Sequence, residues 1–195
     1  MNESRKEYRI LFADNPAKEE KQLYKLAKKG DLNALSALNE YYEKCVTEAR
    51  TPKELSKIRQ KALKAALLGA AQNSPYWLMV VGEMYRYGVG TEKNVKKAFS
   101  YYEKAAALGD VDGVVKVGRA WLNGIGVPTD YRKSLCFFEK AAEQDNPEAM
   151  VLAAYQYENG KGVNANYEKS LEWLARAERI CRLRLEGELP EKDRN

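Results

Sequence analysis

The sequence predicts an all-α protein built as an α-solenoid, a stack of helix-turn-helix repeats. Two observations predict this fold. Residues recur at a fixed step of 36 along most of the 195-residue chain, and apolar residues within each copy follow the period of a helix. Alternating helices at so short a period cannot each bury an apolar face alone, whereas stacked neighbours bury a continuous core. The composition, 45% hydrophobic and 31% charged, is that of a folded chain.

The repeat is defined by glycine, aromatic, lysine and small residues that return at the same step. The residues that share it are Gly88, Gly124 and Gly160; Gly90, Gly126 and Gly162; Tyr85, Trp121 and Tyr157; Lys97, Lys133 and Lys169; Ala98, Ser134 and Ser170; Phe99, Leu135 and Leu171; Tyr101, Phe137 and Trp173; and Ala105, Ala141 and Ala177. They predict a single domain (1–195) divided into a leading helix (1–30), an irregular repeat (31–74), three regular repeats (75–110, 111–146 and 147–182) and a C-terminal tail (183–195).

Each regular repeat contains two helices whose ends are marked by short polar residues and by glycine. Asp110 and Asn146 are candidate N-caps of first helices, and Asp130 is a candidate N-cap of a second helix. Gly124 stands where glycine can close a helix in the left-handed conformation. In the irregular copy, residues 51–54 (Thr-Pro-Lys-Glu) have the pattern of a capping box with proline at the first helical position.

Several classes of chemistry are excluded by what the sequence lacks. Histidine is absent, which excludes Ser-His-Asp and Cys-His catalysis and histidine-based metal sites. The three cysteines are widely spaced and predict neither a disulfide framework nor a zinc site; we expect Cys136 beside the core face of its helix and Cys45 to be more exposed. We predict no catalytic residue, no metal and no cofactor. The net charge of +5 is too small to indicate nucleic-acid binding.

The chain contains no run of 18 apolar residues that would span a membrane. Its first residues are too polar for a secretory signal, so we expect a cytoplasmic protein with no membrane partner, unless a leader has been removed.

The glycine pairs allow two interpretations. A phosphate-binding loop would need GxxxxGK[ST], or a third glycine after a strand, and neither pattern is present. We therefore interpret the pairs as turns between helices, where glycine tolerates positive φ. Aromatic residues at the 36-residue step are likewise expected in the packing and not in a ligand-stacking ladder; they are Tyr85, Trp121, Tyr157, Tyr102, Phe138 and Trp173.

The repeated motif resembles a known family. Its clearest copies, GEMYRYGVGTEKNVKKAFSYYEKAAALGD and GRAWLNGIGVPTDYRKSLCFFEKAAEQDN, are similar to the Sel-one-like repeat (SLR) family of the tetratricopeptide superfamily. The resemblance covers residues 75–182 well and 18–74 loosely. It implies a right-handed superhelix and a non-catalytic protein-binding role. Trp77 departs from the family pattern, which favours alanine there, so we expect different packing at that position.

The resemblance also implies a partner-binding groove along the first helices, because the corresponding positions line the groove of tetratricopeptide proteins. Several of the transferred residues are apolar, aromatic or arginine, the types enriched at protein interfaces. The predicted groove residues are Tyr76, Met79, Glu83, Arg86, Tyr87, Val115, Arg119, Leu122 and Tyr155, with Asp112, Asn123, Glu148, Val151, Glu158 and Asn159 at the remaining positions. For Met79, Val115 and Val151, core packing between neighbouring first helices is an equal alternative.

Three functions follow from the resemblance. The first is an adaptor or regulatory scaffold that binds a protein partner in the groove. The second is an immunity or inhibitor protein that binds and neutralises a bacterial toxin or effector. A hydrolase of the β-lactamase-like SLR type is disfavoured, because that type carries paired cysteines and this chain does not. Self-association is a further expectation, with the leading segment 1–30 as its docking element.

Overall fold

A computed structural model of the protein describes residues 16–187, and between these residues it contains helices and no strand. In chain order the helices are α1 (Pro16–Ala27), α2 (Leu32–Glu48), α3 (Pro52–Ala71), α4 (Pro75–Tyr87), α5 (Val95–Ala107), α6 (Val111–Asn123), α7 (Tyr131–Ala142), α8 (Pro147–Glu158) and α9 (Tyr167–Leu185). The prediction of an all-α fold is therefore confirmed. Residues 1–15 of the predicted leading segment and 188–195 of the predicted tail lie outside the described residues.

The fold divides into two compact units, Met1–Asn94 and Val95–Asn195. In the first unit, α2 packs on α1 and α3, and α3 packs on α4. In the second unit each helix from α5 to α9 packs on the next one along the chain. Within each unit, helices that are neighbours along the chain thus pack on each other, as stacked helical repeats do.

The predicted helix caps form. The Asp110 carboxylate accepts a hydrogen bond from the backbone N–H of Gly113 at 2.6 Å, and Asp130 and Asn146 make the equivalent bonds three residues on. Gly124 ends α6 with φ of 69°, in the left-handed region. Because these interactions are local, they are set by the sequence alone.

The predicted capping box at residues 51–54 forms with one change. Thr51 Oγ1 accepts from the Glu54 backbone N–H at 3.2 Å. The Glu54 side chain reaches back to the N–H of Arg50 at 3.1 Å, one residue before the position that the usual box pairs.

The second glycine of each pair lies against the backbone of the preceding second helix. A Cβ on Gly126 would be 2.3 Å from the carbonyl oxygen of Val95, and a Cβ on Gly90 would be 2.2 Å from that of Arg59. Gly162 meets the backbone of Tyr131 in the same way. The pairs are therefore structural turns that let one hairpin dock closely on the previous one.

Each turn is closed by the aromatic position of the repeat. The backbone N–H groups of Asn94, Asp130 and Asn166 donate to the carbonyls of Tyr85, Trp121 and Tyr157, respectively, at 2.7–2.9 Å. Of the aromatic residues assigned to packing, Tyr102, Phe138 and Tyr157 are buried, whereas Tyr85, Trp121 and Trp173 are half-buried.

Trp77, where the sequence departs from the family pattern, is buried at 3% exposure. A Cβ on Gly69 of α3 would lie 2.3 Å from its indole ring. The larger side chain on α4 is accommodated because the facing residue on α3 has no side chain, which confirms that this repeat packs differently.

Two expectations on cysteine are wrong. Cys136 is exposed, although it was expected beside the core face, and Cys45 is only half-buried. The reason is that Cys136 follows the buried Leu135 by a single residue, and one residue is a rotation of about 100° around a helix. This rotation carries the Cys136 side chain out of the interface.

Candidate protein-interaction surface

The predicted groove residues of the first unit form a face on α4, which we call the α4 face. Tyr76 and Tyr87 are 48% and 65% exposed, and Met79, Glu83 and Arg86 are half-buried. The Arg86 guanidinium lies 3.9 Å from a Glu83 carboxylate oxygen and 5.2 Å from the centroid of the Tyr87 ring. This face therefore combines two exposed aromatic rings with an arginine whose orientation is fixed by its neighbours.

In the second unit, α6 and α8 form a surface that we call the α6/α8 face. Arg119 of α6 donates from Nε and Nη2 to Glu148 Oε1 of α8, at 2.8 and 2.6 Å. Glu148 lies in the first turn of α8, where the helix dipole also favours a carboxylate. The pair joins the two first helices side by side and leaves both side chains partly open to solvent.

The apolar part of the α6/α8 face lies along α8. Val151 and Tyr155 are 48% and 41% exposed. Lys161, in the turn after α8, donates to the Tyr155 hydroxyl at 2.7 Å and lies 4.6 Å from the centroid of its ring. The hydrogen bond raises the pKa of Lys161 above its usual value. The exposed ring is thus held in place before any partner arrives, which lowers the entropy cost of binding.

The remaining predicted positions of the second unit are polar or partly buried. Asn123 and Asn159 each donate a side-chain N–H to the carbonyl four residues earlier, at 3.0 and 2.8 Å. Asp112 accepts from the Asn146 side chain at 3.5 Å. Leu122 is half-buried against the core, and Glu158 is exposed at the end of α8.

Val115 does not belong to an accessible surface, so its assignment to the groove is wrong. It is 3% exposed and part of the core cluster of the second unit. The same cluster contains Ala149, Met150 and Ala153 of α8. Val151, one repeat later, is 48% exposed. Core packing and surface exposure were equal alternatives for three residues. Of these, Val115 lies in the core, Val151 is exposed and Met79 is half-buried.

A polar cleft of about 210 Å³ lies between helices of the first unit and was not anticipated from the sequence. The Tyr42 hydroxyl donates to Glu20 at 2.9 Å, and Lys61 also binds Glu20. Burial and a hydrogen bond to Cys45 raise the pKa of Tyr41 to about 12. A phenol with that pKa stays protonated at neutral pH.

The described residues give little basis for other chemistry. Between residues 16 and 187 no group of three or more His, Cys, Asp or Glu side chains is placed to hold a metal ion. All three cysteines are free. No helix in the same range is long and apolar enough to cross a bilayer.

Repeated helix pairs with capped turns define a helical repeat protein. The Sel1 repeat model matches residues 78–110, 112–146 and 147–179, and the chain belongs to the Sel1 repeat family. The resemblance seen in the sequence is therefore confirmed. Sel1 repeats generally mediate protein–protein interactions.

Solved structures of Sel1-type proteins share this fold. A Sel1 repeat protein from Oxalobacter formigenes has a TM-score of 0.63 and 22% identity, over 84% of this chain and 69% of that one. The protective antigen c5321 of uropathogenic Escherichia coli, described as displaying an SLR fold, has a TM-score of 0.63 and 20% identity, over 96% of this chain. This chain covers 44% of c5321. The Helicobacter pylori cysteine-rich protein B has a TM-score of 0.50 and 24% identity, over 72% of this chain and 98% of that one.

No curated protein matches this chain.

Proposed function

We propose that this protein is a non-catalytic interaction module, an adaptor or regulatory scaffold that binds a protein partner through the exposed faces of its first helices. The observation that carries the proposal is the α6/α8 face, where the exposed Val151 and Tyr155 lie on the same surface as the Arg119–Glu148 pair. Aromatic residues and arginine supply most of the energy in protein interfaces. The α4 face offers the same combination on the first unit.

The side chains of the α6/α8 face are already oriented, which supports specific binding. Lys161 holds Tyr155, and Glu148 holds Arg119 through two hydrogen bonds to one carboxylate oxygen. Since these side chains lose little freedom on association, more of the contact energy remains as affinity. A partner for this face would offer an apolar segment for Val151 and Tyr155, flanked by polar groups for the ion pair.

The adaptor role is preferred over two alternatives. A toxin-neutralising protein would use the same faces, and no feature of the described surface is specific to that role. A hydrolase would need an activated nucleophile, and the sequence contains no histidine to act as its base. Cys136 and Cys181 are free and exposed, which is compatible with the reducing cytoplasm that the proposal assigns to this protein.

The test is an affinity purification from the native host with the full chain as bait. Wild type is compared with the double variant Val151→Ala/Tyr155→Ala. The matched control is Leu108→Ala, because Leu108 is 49% exposed, as Val151 is, but lies after α5 and away from the face. Helical content measured by circular dichroism confirms that each variant folds.

We expect the double variant to recover at least about tenfold less of the specific partner, the effect of losing about 1.4 kcal/mol. The Leu108→Ala protein should recover the wild-type amount. If the folded double variant recovers as much partner as wild type, the α6/α8 face does not bind the partner.

A further inference from the structure

The last repeat exposes a face that the earlier repeats bury. Phe99 and Leu135 occupy the same repeat position on α5 and α7 and are 7% and 6% exposed, whereas Leu171 on α9 is 66% exposed. The turn that contains Gly126 covers Phe99, because a Cβ placed on Gly126 would lie 3.1 Å from the Cβ of Phe99. In the earlier repeats this position is therefore covered by the turn of the next repeat, and Leu171 lacks such cover among the described residues.

The exposed residues of α9 form a continuous stripe. Tyr167, Leu171, Leu174 and Leu185 are all at least 40% exposed, and Glu178 and Cys181 between them are also exposed. The six residues alternate at spacings of four and three, which is the a/d pattern of a coiled-coil seam. We call them the α9 stripe. Ser170, Ala177 and Ile180 on another side of α9 are buried in the protein's own core.

We propose that the α9 stripe pairs with the α9 stripe of a second copy of this chain, antiparallel and around a two-fold axis. In this alignment Tyr167 meets Leu185 of the partner subunit, and Leu171 meets Cys181 of the partner subunit. Leu174 meets Glu178 of the partner subunit. All six residues of each stripe then have a partner, as a self-complementary two-fold interface requires.

The charges on α9 select the antiparallel orientation. Glu168 flanks the stripe near the start of the helix and Arg182 near its end, and both are exposed. An antiparallel pair brings Glu168 of one copy to Arg182 of the partner subunit, whose guanidinium also lies 3.3 Å from Glu178 of its own helix. A parallel pair would instead place Glu178 against Glu178 of the partner subunit within the seam, where like charges repel.

A second copy is a better occupant than head-to-tail stacking onto the start of another array. The exposed positions of α1 are mostly charged or polar, among them Lys21, Gln22 and Lys25, and they offer no apolar complement to three leucines and a tyrosine. The α9 stripe supplies its own complement. Self-association is thus assigned to the last helix and not to α1; residues 1–15 of the predicted docking segment lie outside the described residues.

The first experiment measures the mass of the full chain in solution. At about 100 μM a complex of micromolar affinity is essentially fully assembled, so sedimentation velocity should give a dimer for wild type. Leu171→Glu should give a monomer, and Leu108→Glu, at another exposed leucine off the stripe, should stay dimeric. Both substitutions are at exposed positions, and circular dichroism checks that each variant keeps its helices.

The second experiment measures orientation by disulfide formation in the Cys45→Ser/Cys136→Ser background. The antiparallel seam predicts that Leu171→Cys forms a covalent dimer with the native Cys181 of the partner subunit under mild oxidation. Without Leu171→Cys, Cys181 should give no cross-link, because it faces Leu171 of the partner subunit.

Three results would overturn the proposal. A dimer that forms equally in the Leu171→Glu variant would place the interface elsewhere. Efficient cross-linking through Cys181 alone would indicate a parallel pair. A wild-type monomer would remove the second copy altogether.

Discussion

The close approach at Gly126 gives the sharpest stability prediction. Its φ of +80° lies in the left-handed region, and a Cβ there would be 2.3 Å from the Val95 carbonyl oxygen, whereas ordinary contacts are 3.4–4 Å. Alanine in this conformation costs about 1–2 kcal/mol. The clash with a backbone oxygen adds about 1–3 kcal/mol, because α5 must shift away from the turn. We therefore expect Gly126→Ala to lower the free energy of unfolding by about 2–5 kcal/mol.

Gly109 provides the matched control. Its φ is +87°, but a Cβ there would have nothing within 4 Å. Gly109→Ala should therefore lose only the conformational term of about 1–2 kcal/mol. Urea unfolding of both variants, followed by tryptophan fluorescence and by circular dichroism, gives the comparison. Equal losses of unfolding free energy in the two variants would refute the inference that glycine is needed at position 126 for the close approach of α5.

Three further predictions concern polar groups. Burial raises the pKa of Asp110, so the charged carboxylate is disfavoured in the folded state. We therefore expect Asp110→Asn to raise the melting temperature at pH 7, and this gain should vanish below the ordinary carboxyl pKa near 3.8. A gain that is the same at every pH would contradict this prediction. Tyr157 hydrogen-bonds Glu139 and Lys169, so Tyr157→Phe should cost about 1–2 kcal/mol in urea unfolding, and no cost would show the network to be neutral. Gln156 is fully buried with three hydrogen bonds; Gln156→Met should cost about 2–4 kcal/mol by the same measurement, and a stabilised variant would exclude a structural role.

Gln156 stabilises the fold, and the sequence pattern did not indicate this role. The equivalent positions of the earlier repeats are Met84 and Ala120, so the step of 36 gives no polar signal there. Its amide donates to the Tyr131 and Lys161 carbonyls, at 2.9 and 3.2 Å. It thereby fixes the last turn against the preceding helix, a contact that only the packed structure brings together.

The candidate surface was predictable in outline but not residue by residue. Alignment placed Tyr155 at an exposed position, and the structure agrees. It placed Val115 there as well, and the structure buries it. The ion pair of Arg119 with Glu148 joins residues 29 apart along the chain, and neither sequence position alone indicates that they meet.

Helix ends, turns and the repeat itself were determined by the sequence. N-caps such as Asp130 and left-handed glycines such as Gly124 act within a few residues of where they stand, so their effect can be read locally. Burial was decided by tertiary structure. Leu135 and Leu171 occupy the same repeat position but are 6% and 66% exposed, because exposure depends on whether another helix lies alongside, and that is a property of the assembled neighbours and not of the residue.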